Sequence, residues 1–172
     1  MEFTLDFEYD KDVIALYHSA LNHEFTSETR LTGARFNLEQ TENRLYETQK
    51  SKAKNGFDLH GILKIKKDGQ LAGICFPRKV IPSEYDRYSL DPTKEYHRLS
   101  GIFINPDFRG QNIALQTVQW FIEHFQYILW TADETNHASI KVAQKAKLQT
   151  LPSVDVLDAQ EKVRYRLNVF AN

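Results

Sequence analysis

Hydrophobic and polar positions follow two periods along the chain, and the switches between them outline its elements. Phe3, Leu5 and Phe7 alternate with Thr4, Asp6 and Glu8, the period of a half-buried strand, and Asp10 or Asp12 then caps a helix running to about Asn22. Residues 23 to 36 mix Thr, Ser, Gly and Arg without period. Leu38 and Leu45 among polar neighbours predict a mostly exposed second helix with a thin apolar stripe, stopping near Asn55 and Gly56. Leu59, Gly61, Leu63 and Ile65 alternate up to Asp68-Gly69, and the apolar run Leu71 to Phe76 follows. Asp-Gly between two such runs predicts an antiparallel hairpin over 59 to 76, because both turn positions need positive φ.

Further on, Pro82 to Lys94 reads as a polar connection, followed by a strand through about Ile104. From Ile113 to Phe125 the residues Ala114, Val118, Phe121, Ile122 and Phe125 recur at helical spacing, with Trp120 at the edge of the stripe. Tyr127 to Trp130 has the length of a buried strand, and a helix over about Asn136 to Lys147 presents Ile140, Ala143 and Leu148. Val163 to Phe170 alternates cleanly and closes the chain as a strand. The predicted order is strand, two helices, three strands, helix, strand, helix, then one or two strands, with no internal repeat.

A length of 172 residues predicts one domain over 1–172. With 22 Lys plus Arg against 23 Asp plus Glu, the net charge of -1 provides no overall field toward nucleic acid or an anionic membrane, so neither is expected as a partner. No apolar run approaches a membrane span, and Met1 to Asp6 has neither a basic nor an apolar leader region; a cytoplasmic protein is expected. The single Cys75 sits in an apolar run and reads as a small core residue. Lys64, Lys66 and Lys67 suggest a basic patch, but strand alternation assigns them to a solvated face.

Nucleotide loops, a nucleophile elbow and zinc spacings are all lacking, and the six histidines, His18, His23, His60, His97, His124 and His137, are scattered without ligand spacing, so no metal is expected. One stretch carries chemistry. In Ile102-Phe103-Ile104-Asn105-Pro106-Asp107-Phe108-Arg109-Gly110-Gln111-Asn112-Ile113-Ala114, a buried strand turns tightly into an amphipathic helix. A helix N-terminus favours anions, Gly110 lets the backbone come close to one, and Arg109 adds a permanent cation suited to phosphate oxygens. Taken alone, Arg109 equally suits a surface arginine and Gly110 an ordinary turn, and the motif leaves both readings open.

Here the sequence resembles the GNAT superfamily of acyl-coenzyme A dependent N-acetyltransferases. The family's phosphate loop, Pro-x-x-Arg-Gly-x-Gly-x-Gly/Ala, is similar to Pro106, Arg109, Gly110, Asn112 and Ala114, and its Asn-x-x-Ala/Ser motif to Asn136 and Ser139, with Lys145 further along the helix. Lys147-Leu148 stands where Gly-Phe is usual. The order of elements matches over nearly the whole chain. The resemblance implies an α/β fold of the α+β type: a mixed, mostly antiparallel central sheet of six to seven strands flanked by about four helices. It implies acetyl-CoA as cofactor, held by the backbone of Ile102, Phe103 and Ile104 along the pantetheine arm, by Arg109, Gly110, Gln111, Asn112, Ile113 and Ala114 at the pyrophosphate, and by Asn136 and Ser139.

The implied reaction moves acetyl from acetyl-CoA to a primary amine of a small molecule or protein, by direct attack through a tetrahedral intermediate, in a monomer or homodimer. An alkyl amine with pKa about 10 must lose a proton, and a thiolate of parent pKa about 8.5 must gain one. The substrate face implied for the strand before Arg109 holds Tyr96, Arg98 and Ser100, whereas unbroken alternation turns His97 the other way. Tyr96 or Ser100 is therefore expected in a water relay for the base. Ser139 is the expected thiolate acid, or else a helix-surface serine. Glu84, Asp86, Asp91 and Glu95 among tyrosines offer a cationic amine a mouth, or else form a solvated loop offset by Arg87, Lys94 and Arg98.

Three departures bear on activity. Asn112 replaces a glycine, but asparagine tolerates the left-handed conformation best of the non-glycine residues. Ala143 stands where many members carry a tyrosine acid, and Thr131 where some carry a glutamate base. These last two favour an alternative, a non-catalytic acyl-CoA-binding module of the same fold.

Overall fold

The computed structural model describes residues 1–22, 35–54 and 61–172. The elements are β1 (Glu2–Asp6), α1 (Lys11–Leu21), α2 (Leu38–Lys54), β2 (Ile62–Lys67), β3 (Gln70–Lys79), α3 (Pro82–Tyr88), β4 (Tyr96–Ile104), a 3-10 turn (Pro106–Phe108), α4 (Ile113–Phe125), β5 (Tyr127–Asp133), α5 (His137–Lys145), β6 (Gln149–Leu157) and β7 (Val163–Ala171). The expected irregular stretch before Arg35, the helix stop at Asn55 and Gly56 and the hairpin's start at Leu59 lie outside the described residues. The strands hydrogen-bond in the order β1-β2-β3-β4-β5-β7-β6. β4 and β5 run parallel, while β1 with β2, β2 with β3, β5 with β7 and β6 with β7 run antiparallel. The fold is thus the mixed, mostly antiparallel seven-stranded sheet implied by the resemblance, with five α-helices among the described residues.

Chain packing forms two compact units, Met1–Arg78 with Ser100–Ile113, and Lys79–Leu99 with Ala114–Asn172. In the first, Asp10 caps α1 by accepting from the Val13 amide at 2.9 Å. The helix then buries Val13 and Leu16 against Leu45, Ile62, Ile74 and Phe76. The stripe of α2 is thin, as its sequence predicts, with Thr41 and Leu45 buried while Leu38 is exposed. The β2–β3 hairpin turns at Asp68 and Gly69, with φ of 52° and 78°. Cys75 is fully buried, and desolvation pushes its thiol pKa up, as expected of a core residue.

Lys64 corrects the sequence reading of a solvated lysine face. It is buried, and its ammonium lies 3.1 Å from Asp6 and 3.4 Å from Asp10. Alternation assigns a face to a lysine but says nothing of carboxylates from β1 and the α1 cap arriving over it.

In the second unit, the segment read as a connection holds α3. Pro82 occupies its first turn, the Ile81 amide donates to Glu84 at 3.2 Å, and Ser89 ends it at φ 54°. Seven residues are too few to display a helical period. Its Tyr88 enters a core of Val80, Leu90, Tyr96, Leu129, Val169 and Ala171. β6, which the sequence left as a possible second closing strand, pairs with β7 from Gln149 to Leu157 with a register shift between Leu151 and Val154. Pro152 falls within that shift, at the sheet edge, where a missing N–H is tolerated.

Candidate functional site

The strand-to-helix loop grows from local turn chemistry. The Asn105 side-chain oxygen accepts from the Asp107 amide at 3.2 Å, its amide nitrogen donates to Leu71 O at 3.3 Å, and Phe108 N closes the 3-10 turn on Asn105 O at 2.9 Å. Arg109 is exposed, with Nε donating to Ile104 O at 3.3 Å and the guanidinium 5.5 Å from the Phe103 ring. Gly110 takes φ 78° and Asn112 φ 57°, so the chain is left-handed at the motif's first glycine and at the asparagine that replaces its second. A Cβ built on Gly110 would meet nothing within 4 Å, so the backbone there lies open to a ligand. Lys67 donates to Gln111 Oε1, bringing a second cation to the loop. α4 begins immediately afterwards at Ile113, its positive dipole end at the loop.

Before the loop, Gly101 interrupts β4 at φ 61°, with Phe76 3.4 Å from where a Cβ would be. Strict alternation therefore holds only up to Ser100, whose carbonyl accepts from the Cys75 thiol at 3.6 Å. Ile102, Phe103 and Ile104 are all half-buried. Phe103 packs with the α1 core, and Ile104 lies against Gly73.

In the second unit, the parallel register of β4 with β5 runs from Tyr96–Tyr127 to Arg98–Leu129. Tyr96 lies between Tyr85 and Tyr127, with ring centres 6.1 and 5.8 Å away. Burial raises the pKa of its phenol, so it stays protonated at neutral pH. His97 faces the other way, as its parity requires, stacked 4.5 Å from Phe125 with Nε2 3.5 Å from Glu95. Arg98 returns to the Tyr96 face. There it donates to buried Glu84, so this carboxylate belongs to an ion pair with half-buried Arg98 rather than to an acidic mouth. Its other terminal nitrogen donates to Thr131 Oγ1 at 3.2 Å.

The second motif is built around the start of α5. Asn136 caps it, Oδ1 accepting from Ser139 N at 3.2 Å, and Ser139 Oγ accepts from the buried Trp130 indole at 3.0 Å. Ala143 is fully buried. Ala114, in the first turn of α4, is half-buried. Of the predicted residues, Ser100, Ile102 to Ile104 and Arg109 to Ile113 gather in the first unit, and Tyr96, Ala114, Asn136 and Ser139 belong to the second. The Glu84–Arg98–Thr131 chain was missed, because its members are distant in sequence. Among the described residues no three His, Cys, Asp or Glu side chains converge on a metal-sized site, and no helix is long and apolar enough to cross a membrane.

This loop and sheet order define a class. The family model of the acetyltransferase (GNAT) family matches residues 18–147, and the chain belongs to that family. Solved structures share its fold. A ribosomal-protein-alanine N-acetyltransferase of Brucella melitensis superposes with a TM-score of 0.67 at 18% identity, over 100% of this chain and 99% of its own. A Salmonella typhimurium acetyl transferase that modifies the N-terminal serine of a 50S ribosomal subunit protein gives 0.64 at 14% identity, over 99% and 92%. The protein yncA of Salmonella typhimurium, solved with its cofactor acetyl-CoA, gives 0.60 at 16% identity, over 100% and 94%. No curated protein matches the chain by sequence.

Proposed function

We propose that the chain transfers acetyl from acetyl-CoA to a primary amine by direct attack of the amine on the thioester. The observation that carries this is the Pro106–Ala114 loop, left-handed at Gly110 and Asn112, open at Gly110 and flanked by exposed Arg109. Such a loop before a helix N-terminus suits pyrophosphate oxygens, which accept from main-chain N–H groups and a guanidinium. The residues thus fit the cofactor with which the related yncA was solved.

In this reading Arg109, Gly110, Gln111, Asn112, Ile113 and Ala114 hold the pyrophosphate. The main chain of Ile102 to Ile104 pairs with the pantetheine arm, and Asn136 and Ser139 contribute from the start of α5. An N–H on β4 polarises the thioester carbonyl, a task that needs no particular side chain. Ser139 relays a proton to the departing sulfur, its oxygen taking one back from solvent as it gives its own. Its oxygen already accepts from Trp130, which makes its own O–H a better donor. Tyr96 or Ser100 orders the water that removes the amine proton. The neighbours named as N-acetyltransferases support a nitrogen acceptor.

The test is coenzyme A release across a panel of amines, beside acetyl-CoA binding by thermal shift. At a hundredfold excess over its dissociation constant a ligand stabilises by about 2.7 kcal/mol. Arg109→Ala should cut that gain without lowering the unliganded melting temperature. An unchanged melting temperature at saturating acetyl-CoA rejects the cofactor. A second reading, a binding module without catalysis, draws on Ala143, which offers no hydroxyl, and on Thr131, whose hydroxyl is engaged by Arg98. Binding without release from any amine would select it.

A further inference from the structure

The Glu84–Arg98–Thr131 chain has no part in the chemistry described so far. It lies within one unit and joins α3, β4 and β5. Arg98 is half-buried, with its guanidinium 5.2 Å from the Tyr88 ring centre, one terminal nitrogen on Glu84 Oε1 and the other 3.2 Å from Thr131 Oγ1. The second oxygen of Glu84 accepts from the Ile81 amide at 3.2 Å. Both carboxylate oxygens are thereby committed, and the charge of Glu84 is balanced by Arg98.

Thr131 is left with a defined polarity. A hydroxyl has one proton to give, and arginine can only donate. With Arg98 donating to its oxygen, half-buried Thr131 keeps its one proton for donation to a further acceptor. It lies on the face of the sheet that carries Tyr96 and Arg98, the acceptor side in the acetyltransfer reading on which this inference rests. A donor there matches an oxygen. A polyamine brings only nitrogen groups to it, whereas the α-amino end of a peptide brings a carbonyl oxygen on the carbon next to the one bearing the amine.

We propose that Thr131, positioned by Arg98, donates a hydrogen bond to the carbonyl oxygen beside the reacting amine, so that the acceptor is the α-amino end of a peptide or protein. Reactivity agrees with this choice. An α-amine has a pKa of about 7.7–8.0 against about 10.4 for lysine, so at neutral pH its uncharged fraction is greater by roughly two orders of magnitude. Such an acceptor asks little of a base.

The experiment measures coenzyme A release at saturating acetyl-CoA from three acceptors: a lysine-free peptide with a free N-terminus, the same peptide blocked at its N-terminus and carrying one lysine, and spermidine. Acetyl-CoA binding is followed in parallel by calorimetry. The free α-amine peptide should be used at least about tenfold more efficiently than the other two. Thr131→Val should raise its KM about three- to tenfold, the range for one lost hydrogen bond, with acetyl-CoA affinity and kcat held. Thr131→Ser should restore it, and Arg98→Met should follow Thr131→Val. Preference for the lysyl peptide or spermidine, or an unchanged KM in Thr131→Val, overturns the inference and leaves acetyltransfer standing. Release from none of the acceptors overturns both.

Discussion

The indole of Trp130 donates to the Ser139 hydroxyl across 3.0 Å, joining β5 to the first turn of α5. The indole is buried, so its N–H depends on that one oxygen. Ser139→Ala should therefore cost about 1–3 kcal/mol, the penalty for stranding a buried donor. Each kcal/mol moves the melting temperature of a chain this size by about 2–4 °C. If Ser139 also protonates the leaving thiolate, kcat falls by more than the accompanying loss of acetyl-CoA affinity explains. Melting curves and single-turnover rates on the same variant separate the two effects.

Asn136 has two atoms with separate duties. Its Oδ1 caps α5, which leaves its NH2 group to donate to a ligand. Asn136→Asp should keep the cap and the melting temperature, yet weaken acetyl-CoA by about 0.5–1.5 kcal/mol because the amide donor is gone. Asn136→Ala should lose the same affinity and about 1 kcal/mol of stability as well. Equal cofactor affinity in wild type and Asn136→Asp would reduce this residue to a cap.

Asn112 is left-handed at φ 57°. Asn112→Gly should bind acetyl-CoA as well as wild type, since glycine adopts this conformation freely and keeps its N–H. Asn112→Val should lose about 1–2 kcal/mol of stability and most of the affinity, because a β-branched residue resists that conformation. Paired melting and calorimetry on the two variants checks the loop geometry directly.

Lys64 predicts a pH signature. For Asp10, burial acts to raise the pKa but is outweighed by the Val13 amide and Lys64, so its carboxyl titrates below the ordinary range. A lowered carboxylate pKa contributes stability above the unfolded value that is lost as pH falls through the folded one. For Lys64, burial acts to lower the pKa but is outweighed by Asp6 and Asp10, so it is raised, and its contribution is lost only in strong alkali. Lys64→Met should cost about 1 kcal/mol at pH 7, modest because Asp10 is largely exposed. The gap from wild type should shrink as pH drops below the ordinary carboxylate range. Denaturation midpoints from pH 2 to 7 give the measurement, and a gap constant across that range would exclude the ion cluster.

Much of this protein was legible because the relevant forces act between near neighbours in the chain. The Asp10 cap depends on an amide three residues away, the Asp68-Gly69 turn on the φ preferences of two adjacent residues, and the tolerance of Asn112 for a left-handed backbone on its own side chain. The helical stripe of α4 and the parity that turns His97 from Tyr96 likewise follow from period alone, and the loop from Pro106 to Ala114 could be recognised from its residues. Tertiary structure decided the rest. Lys64 is buried because Asp10, 54 residues away, folds over it; Arg98 meets Glu84 across 14 residues and Thr131 across 33. α3 is too short to show a period and is held by Tyr88 packing into a core drawn from β4, β5 and β7. A charged side chain in an alternating strand looks the same in sequence whether water or an opposite charge will meet it. Only the closing of long loops determines which, and with it whether a group on the sheet gives a proton, takes one or is neutralised.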